Sequence, residues 1–484
     1  MGILSQDVGE TGVPRNLFKN KGAPRRWSGA LIMKNTTRLV LGVVLLAVFI
    51  SASCIPFGSA ATTGWSQTYG GSGDDEAYSV VQTKDGGYAL AGYTNSSGAG
   101  SYDFWLIKTN SSGGILWNQT YGGAGDDEAY SVIQCNDTGY AVAGYTNSYG
   151  AGEIDAWLVK TDSSGNMQWS QTYGRRAQDG AYSVIQTSDG DYALAGFTDS
   201  FGAGSYDFWL IKTNSSGGML WNQTYGGTGD DEASCIIQTS DGGYALAGYT
   251  NSFGAGIYDF WLVKTDSSGN MLWNQTYGGT GDDESSCVIQ TSDGGYALAG
   301  YTNSSGAGND DFWLVKTDSS GTPQWNQTYG GAYDEIANAL VQTSDGGYAL
   351  GGLTGSYGAG DIDYWLVKTT ASGSMQWSQT YGGSDDDEAY SLVQTSDGSY
   401  ALAGFTASYG AGSYDAFLVK TDSSGNSVMP QSSSFSIPYS TIVIVLIIVV
   451  GIIAMVVIAR SRHSRPETSS GQQYPPPSPE MKPP

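Results

Sequence analysis

The chain has 484 residues, with 46 Asp and Glu against 21 Lys and Arg, and a formal net charge of −25. This acidic balance argues against nucleic acid as a partner, because binding to phosphates requires a basic surface. It favours solubility and the attraction of cations or cationic partners.

An apolar segment precedes the main body of the chain. The stretch RLVLGVVLLAVFISASCIPFGSA begins at Arg38, follows Lys34 and ends in small residues. This order is typical of a secretory signal peptide. We therefore predict a signal peptide, or an N-terminal membrane segment if it is not cleaved, at 33–61. Residues 1–32 are an N-terminal extension, which is not translated if Met33 is the true start.

Residues 64–426 contain seven copies of a 52-residue unit. The motif W-[NS]-Q-T-Y-G marks each copy. Its tryptophan is Trp65, Trp117, Trp169, Trp221, Trp273, Trp325 and Trp377.

Each unit holds four short extended segments separated by Gly-rich turns. The segments EAYSVVQT, GYALAGYT, DFWLIKT and WNQTY are too short for ordinary helices and lack the 3.6-residue period. The sequence DGG between the first two is a tight-hairpin signal. Four strands in a unit of about 40–50 residues are the signature of a β-propeller blade. We predict an all-β, seven-bladed β-propeller with four antiparallel strands per blade.

The order of the segments predicts how the ring closes. The last unit has EAYSLVQT, SYALAGFT and DAFLVKT but no fourth segment, whereas a spare copy, WSQTY, stands at 65–69. The N-terminal strand is therefore expected to complete the last blade, which removes the free sheet edges of an open array. An open β-solenoid is the alternative, and it would not need the displaced strand.

The repeats resemble those of a known class of propeller. GGSGDDEAYSVVQT, DGGYALAGYT and DFWLIKTNSSG are similar to the repeats of secreted or cell-surface β-propeller proteins of archaea and bacteria, which are kelch-like in style. The resemblance covers 64–426 and implies an exported surface protein that works in binding or adhesion. It does not name a ligand, because propellers host many activities.

The C-terminal part predicts a membrane anchor. Residues 439–459 carry no charge and reach the length of about 20 residues that a membrane-spanning helix needs. RSRHSR follows from Arg460, and basic residues stay on the cytoplasmic side. We predict a linker at 427–438, a transmembrane helix at 439–459, and a basic, then Pro-rich, disordered cytoplasmic tail at 460–484. The propeller is then extracellular, on a single-pass cell-membrane protein.

The sequence favours binding over catalysis. The single histidine, His463, lies in the predicted tail, so the propeller has no Ser–His or Cys–His arrangement and no histidine metal site. Its acids recur almost identically around the ring, except in the third and sixth units, whereas catalysis needs one differentiated site. We expect a non-enzymatic protein that binds a glycan, a surface-layer component or a protein, with no cofactor. A carboxylate enzyme acting on polysaccharide and a purely structural envelope protein are the alternatives.

Calcium is the metal that the acidic loops suit best. Hard oxygen ligands in Gly-rich loops favour Ca²⁺, although the DxDxDG spacing is missing, and solvated turn acids are the preferred interpretation. The candidate ligands are Asp74, Asp75, Glu76, Asp126, Asp127, Glu128, Asp230, Asp231, Glu232, Asp282, Asp283 and Glu284.

Nine Asn-x-Ser/Thr sequons offer glycosylation sites. Because NQT and NSS belong to the repeat, their number reflects duplication. They begin at Asn95, Asn110, Asn118, Asn136, Asn214, Asn222, Asn274, Asn303 and Asn326.

Some recurring positions have expected structural roles. The aspartate that starts DFW, from Asp103 onward, is expected to accept backbone N–H bonds at a loop end. The lysine that ends the strand, from Lys108 onward, is expected to pair locally, and the tryptophans to pack in the core. Cys235 and Cys287 occupy the same repeat position. We interpret them as small buried residues, with a disulfide as the alternative.

The third unit departs most from the repeat. Arg175, Arg176, Asp191 and Asp199 all lie there, and its acidic loop reads GRRAQDG. The preferred interpretation is drift in a duplicated array, and the alternative is a unique binding site.

Overall fold

The computed structural model describes residues 64–430, 446–455, 458 and 475–476. The predicted N-terminal extension and signal peptide lie outside these residues. The chain divides into two units, 1–61 and 62–484, and all the described residues belong to the second. Residues 64–430 contain 28 strands and no helix.

The strands are β1 (Trp65–Tyr69), β2 (Asp75–Gln82), β3 (Tyr88–Thr94), β4 (Asp103–Thr109), β5 (Ile115–Tyr121), β6 (Asp127–Gln134), β7 (Tyr140–Thr146), β8 (Asp155–Thr161), β9 (Met167–Tyr173), β10 (Asp179–Gln186), β11 (Tyr192–Thr198), β12 (Asp207–Thr213), β13 (Met219–Tyr225), β14 (Asp231–Gln238), β15 (Tyr244–Thr250), β16 (Asp259–Thr265), β17 (Met271–Tyr277), β18 (Asp283–Gln290), β19 (Tyr296–Thr302), β20 (Asp311–Thr317), β21 (Pro323–Tyr329), β22 (Glu335–Gln342), β23 (Tyr348–Thr354), β24 (Asp363–Thr369), β25 (Met375–Tyr381), β26 (Asp387–Gln394), β27 (Tyr400–Thr406) and β28 (Asp415–Lys420).

These strands form seven four-stranded antiparallel sheets, which are the blades of a propeller. Blade 1 is β2–β5, and blades 2 to 6 follow in groups of four up to β25. The first strand of each blade contacts the first strands of both neighbours: β2 touches β6 and β26, and the series continues through β10, β14, β18 and β22. The inner strands therefore form a closed ring of seven, and the fourth strands lie at the rim. The predicted seven-bladed propeller is confirmed, and the open solenoid is wrong.

Blade 7 is closed by the two ends of the propeller. Its strands run in the order β26-β27-β28-β1, and β1 pairs antiparallel with β28 from Trp65 opposite Lys420 to Tyr69 opposite Ala416. The Ser427 hydroxyl also donates to the carbonyl oxygen of Trp65, at 3.2 Å. The displaced first strand is thus part of the last sheet, as predicted from the segment order.

The core lies between the blades rather than within them. All seven residues of β4 are buried, because this strand is covered on both faces. Ala89 and Leu106 of blade 1 pack against Val132 and Trp157 of blade 2, and similar clusters join the other pairs of blades. Where β2 and β3 come close, Gly92 is required, since a Cβ there would lie 1.9 Å from the carbonyl oxygen of Glu76.

The invariant Asp and Lys have the structural roles expected of them. Oδ2 of Asp103 accepts hydrogen bonds from the backbone N–H groups of Ala99 and Gly100, at 2.9 and 3.0 Å, which fixes the loop before β4. Nζ of Lys108 lies 2.9 Å from Asp85 Oδ2, in the turn between β2 and β3. Every blade repeats both arrangements with little change.

Residues 446–455, which belong to the predicted membrane anchor, are helical and exposed. Over the described residues, no helix combines enough length and apolar character to span a bilayer. The remaining residues of the 439–459 prediction, apart from residue 458, lie outside the described residues, as do 431–438 of the predicted linker and all of the predicted tail except 475–476.

Candidate functional site

The two ends of the propeller differ in whether their carboxylates form ion pairs with lysines. On one end lie the loops between blades, such as 70–74, and the loops before each third strand, such as 95–102; we call this the acidic face. On the opposite end, each of the seven ring lysines pairs with a turn aspartate. Within residues 64–430 every ion pair lies on that opposite end, so the carboxylates of the acidic face have no salt-bridge partner.

The second acid of each GDDE loop is buried and holds the acidic face together. Asp75 is fully buried, and its carboxylate accepts hydrogen bonds from the hydroxyls of Thr94 and Ser96 and from the N–H of Gly71. The same network recurs at Asp127, Asp179, Asp231 and Asp283. In blade 7, Asp387 accepts from the hydroxyl of Ser408 and the N–H of Gly383. In blade 6, Glu335 takes this place and accepts from the hydroxyl of Thr354 and the N–H groups of Gly331 and Ser356. Sequence reasoning missed this role, because an acid in a Gly-rich loop is indistinguishable from a solvated one.

The three acids of a GDDE loop are separated by this arrangement. The side chain of Asp74 stays at the loop surface, that of Asp75 is buried beneath the loop, and Glu76 lies on the inner strand. Among the described residues, no group of three or more Asp, Glu, His or Cys side chains is placed to hold a metal ion. Calcium binding by these loops stays a prediction.

Glutamates and tyrosines of the inner strands surround the central axis. The third acid of the loop is Glu76, and its equivalents are Glu128, Glu232, Glu284 and Glu388, whereas blades 3 and 6 have Gly180 and Ile336. Burial raises the pKa of Glu76 to about 7, and the nearby carboxylates of Glu388 and Glu128 add to the shift, while hydrogen bonds from Tyr93 and Tyr78 oppose it.

Tyrosines occupy only one part of this inner ring. Tyr390, Tyr78, Tyr130 and Tyr182 stand two residues after the glutamate position in blades 7, 1, 2 and 3; we call them the tyrosine arc. The ring of Tyr78 lies 4.7 Å from that of Tyr130 and 4.8 Å from that of Tyr390. Blades 4, 5 and 6 have Ser234, Ser286 and Asn338 at this position. The axis is therefore asymmetric although the backbone repeats.

A cavity of about 380 Å³ opens at the end of the arc, around blade 3. We call it the blade 3 cavity. Blade 3 has Gly180 in place of the glutamate, and a Cβ at that position would lie 2.5 Å from the ring of Phe197. The lining includes Asp126, Tyr130, Tyr145, Gln178, Tyr182, Phe197, Tyr206 and Glu232. The ring of Phe197 therefore occupies the place of the missing side chain, and it forms part of the aromatic lining of the cavity.

The aromatic rings of the cavity contact one another in a continuous chain. Tyr130 lies 5.8 Å from Tyr145 and 5.1 Å from Tyr182, measured between ring centroids. Tyr182 is 5.4 Å from Phe197, which is 5.0 Å from Tyr206 in an edge-to-face contact. These mutual contacts restrict the rings and shape the cavity before any ligand arrives.

Polar groups at the edge of the cavity are mostly acceptors. The hydroxyl of Tyr182 donates to Glu232 Oε2 at 3.3 Å, and that of Tyr206 donates to Gln178 Oε1 at 2.9 Å. Burial raises the pKa of Glu232, against hydrogen bonds from Tyr249 and Tyr182 that lower it. No lysine or arginine is among the lining residues.

The four departures singled out in the third unit do not form one site. Arg175, Arg176 and Asp199 line a neighbouring pocket, and the guanidinium of Arg175 stacks 4.4 Å above the ring of Phe201. Asp191 lies on the opposite end, where it pairs with Lys212 at 3.3 Å. The third unit also contributes residues to the blade 3 cavity, but none of these four residues lines it.

The tryptophans of the DFW strands pack in the core, as expected; Trp157 is 2% exposed. Of the sequon asparagines, Asn214 and Asn222 are half-buried and the other seven are exposed. Glycosylation stays a prediction.

The cysteines of the propeller are all free. Cys135 is buried, whereas Cys235 and Cys287, which were expected to be buried, are only partly buried. Their sulfur atoms lie 3.9 Å apart, between the inner strands of blades 4 and 5. The structure thus brings the pair together without a disulfide.

Comparison with known proteins identifies no family. No protein-family model matches the chain. It is 26% identical over 245 residues to the regulatory protein FlaEY of Caulobacter vibrioides, an alignment that covers 43% of this chain and 25% of that protein. The chain thus spans only about a quarter of that relative.

Among solved structures, the Sqt1 protein of Chaetomium thermophilum aligns at 11% identity with a TM-score of 0.44, over 77% of this chain and 87% of that one. The Pan2 WD40 domain of Neurospora crassa aligns at 9% identity with a TM-score of 0.44, over 74% and 91%. At these identities and TM-scores, both are distant likenesses in fold alone.

Proposed function

We propose that this protein is a non-enzymatic binding module that holds its partner on the acidic face of the propeller, at the blade 3 cavity. One observation carries the proposal: a pre-formed aromatic recess with carboxylates at its edge occurs where an otherwise repeated structure breaks its symmetry. Concave, largely aromatic sites with a few placed polar groups are the usual form of ligand sites.

A catalytic function has less support. The acids of the acidic face are either buried in hydrogen-bond networks, like Asp75, or repeated around the ring. A glycosidase needs two carboxyl groups set apart across one substrate bond and differentiated in pKa. The blade 3 cavity offers Asp126 and Glu232 in an aromatic setting, which suits binding.

We further propose that the propeller is displayed outside the cell for adhesion, on a single-pass membrane protein. The segment at 33–61 would export the chain, and 439–459 would anchor it with the tail at 460–484 in the cytoplasm. The helix at 446–455 supports this reading, because its Leu, Ile, Val and Met side chains are exposed and would be costly to leave in water. Resemblance to secreted archaeal and bacterial propellers agrees with export.

Display is tested by labelling intact cells with a membrane-impermeant amine reagent and with an antibody to the tail. We expect labelling of Lys84, an exposed propeller lysine that is not one of the seven paired ring lysines. The antibody should reach the tail only after the cells are permeabilised. Equal protection of both parts in intact cells would contradict the orientation.

Binding is tested by screening the full-length protein in detergent against glycan and peptide arrays, with and without calcium. We expect saturable binding that the substitution Tyr182→Ser weakens and the matched substitution Tyr390→Ser does not. Tyr390 belongs to the same arc but lies in blade 7, outside the cavity lining. Release of reducing ends from polysaccharides would instead indicate an enzyme.

A further inference from the structure

The blade 3 cavity has the chemistry of a receptor for a positively charged group. We propose that it receives the side chain of a lysine or arginine presented by a partner protein. This inference rests on the proposed binding function and specifies its ligand class.

Aromatic faces supply the first part of the recognition. A lysine ammonium or an arginine guanidinium within about 6 Å of a ring centroid is attracted by the negative face of the ring. Five aromatic rings in sequence, from Tyr145 through Tyr130, Tyr182 and Phe197 to Tyr206, surround the recess. A cation that enters the cavity lies among these rings.

Carboxylates supply the second part. Asp126 and Glu232 line the cavity, and no residue of opposite charge does. Glu232 is partly removed from water, and a cation beside it would remove the cost that burial imposes on its charge. The two arginines nearest in sequence are placed elsewhere, with Arg175 stacked on Phe201. The cavity is therefore acidic and lacks its own counter-charge.

The size and the surrounding field point to a protein side chain rather than a sugar chain. About 380 Å³ is near the lower end of the range of roughly 300 to 1,000 Å³ for ligand pockets, and accommodates one long side chain. Residues 65–428 contain 42 Asp and Glu and ten Lys and Arg, so this part carries 32 excess negative charges. Such a field speeds the association of a cationic partner, whereas it does not attract a neutral oligosaccharide.

Blade 6 provides an internal comparison. It also lacks the inner glutamate, having Ile336, and it too has a nearby cavity, of about 530 Å³. That cavity is lined by Asp334 and Asp361 but by a single aromatic residue, Tyr333. Blade 6 thus has the acidic residues without the cage of rings, and of these two cavities the one at blade 3 combines both.

The test uses calorimetry on the full-length protein with capped tripeptides that differ only in the central residue. The probes are Gly-Lys-Gly, Gly-Arg-Gly and Gly-norleucine-Gly, with a neutral chitin trisaccharide as the glycan arm. We expect the lysine and arginine peptides to bind and the norleucine peptide not to bind. Affinity should fall as salt rises, because screening weakens attraction between charges.

Matched variants locate the site. Tyr182→Ser gives blade 3 the residue that blades 4 and 5 already have, and should weaken cationic-peptide binding about tenfold, since it removes a central ring. Glu232→Gln should weaken it as well. Tyr390→Ser and Glu284→Gln, at equivalent positions away from the cavity, should leave binding unchanged. The double substitution G180E with F197Y restores the repeat sequence and should abolish binding while the protein stays folded.

The outcomes separate the two proposals. Equal binding of the lysine and norleucine peptides, or equal loss in Tyr182→Ser and Tyr390→Ser, overturns the cation proposal. If the trisaccharide binds instead and Tyr182→Ser removes that binding, the cavity is a binding site for glycan, so the general function stands and the ligand class is wrong. If no probe binds, both proposals fail.

Discussion

The hydroxyl of Ser66 donates a hydrogen bond of 2.7 Å to the carbonyl oxygen of Val428, 362 positions further along the chain. Together with the pairing of β1 and β28, this contact ties the start of the propeller to its end. Residues just beyond the last strand therefore help to hold the first strand in place.

Deletion of residues 64–69 should destabilise the ring. It removes Tyr69, which is 4% exposed, and leaves the edge of β28 unpaired. Loss of one large buried aromatic residue alone costs about 3 to 5 kcal/mol. We expect a clear fall in melting temperature by differential scanning calorimetry and faster proteolysis. Deletion of residues 1–32 is the control, and equal melting of the two truncated proteins would count against closure by β1.

A hydrogen bond from each blade to the next one recurs around the whole ring. The hydroxyl of Tyr277, at the end of the rim strand of blade 4, donates to the carbonyl oxygen of Gly321 in the next blade, at 2.7 Å. Tyr277→Phe should lower the free energy of unfolding by about 1 kcal/mol, because it leaves that buried carbonyl without its donor. Tyr333→Phe, at a residue 64% exposed, should change nothing measurable in urea titrations. Equal effects of the two would refute the role of the hydroxyl.

The ring should lose stability as pH rises from about 4.5 to about 7 through Glu76. Its pKa is about 7 in the folded protein against an ordinary value of 4.5, so the folded state holds a proton that the unfolded state has released. In this window stability falls with rising pH, and the loss is complete above the folded pKa. Glu76→Gln should remove this part of the pH dependence in urea titrations at pH 5 and pH 8. Substitution of the exposed Glu153 by Gln should leave it intact.

Mild oxidation should join blades 4 and 5. The sulfurs of Cys235 and Cys287 lie 3.9 Å apart, and a disulfide requires them to approach to about 2.05 Å. With oxidised glutathione we expect a disulfide-linked peptide pair in mass spectrometry and a stability gain of about 2 to 4 kcal/mol. Buried Cys135 serves as the internal control and should stay reduced. Persistent labelling of both thiols after oxidation would show that the blades hold them apart.

The architecture could be predicted because the sequence of one blade recurs seven times along the chain. The displaced WSQTY, the alternation of strands and turns, and the local roles of Asp103 and Lys108 follow from the repeat itself. The burial of Asp75 could not be inferred, since its partners, Thr94 and Ser96, are distant in sequence and ordinary in type.

The blade 3 cavity was harder still to foresee. It depends on the ring of Phe197 lying where a side chain at Gly180 would be, and on aromatic rings of blades 2 and 3 that meet there. One signal was present in the sequence: aligned by repeat, Tyr182 is the last tyrosine before Ser234. The change from tyrosine to serine looks like any other substitution unless the position is known to lie on the inner strand, near the axis.

The near-identity of the rim strands has a consequence for assembly. The strand β1, with the sequence WSQTY, pairs with the edge of β28. The same sequence recurs at residues 377–381, in the rim strand of blade 6. A leading segment from a second molecule is chemically the same as the molecule's own, and only tethering favours self-closure. At high local concentration, as in a crowded layer, strand exchange between molecules becomes competitive and links rings into chains without any new interface.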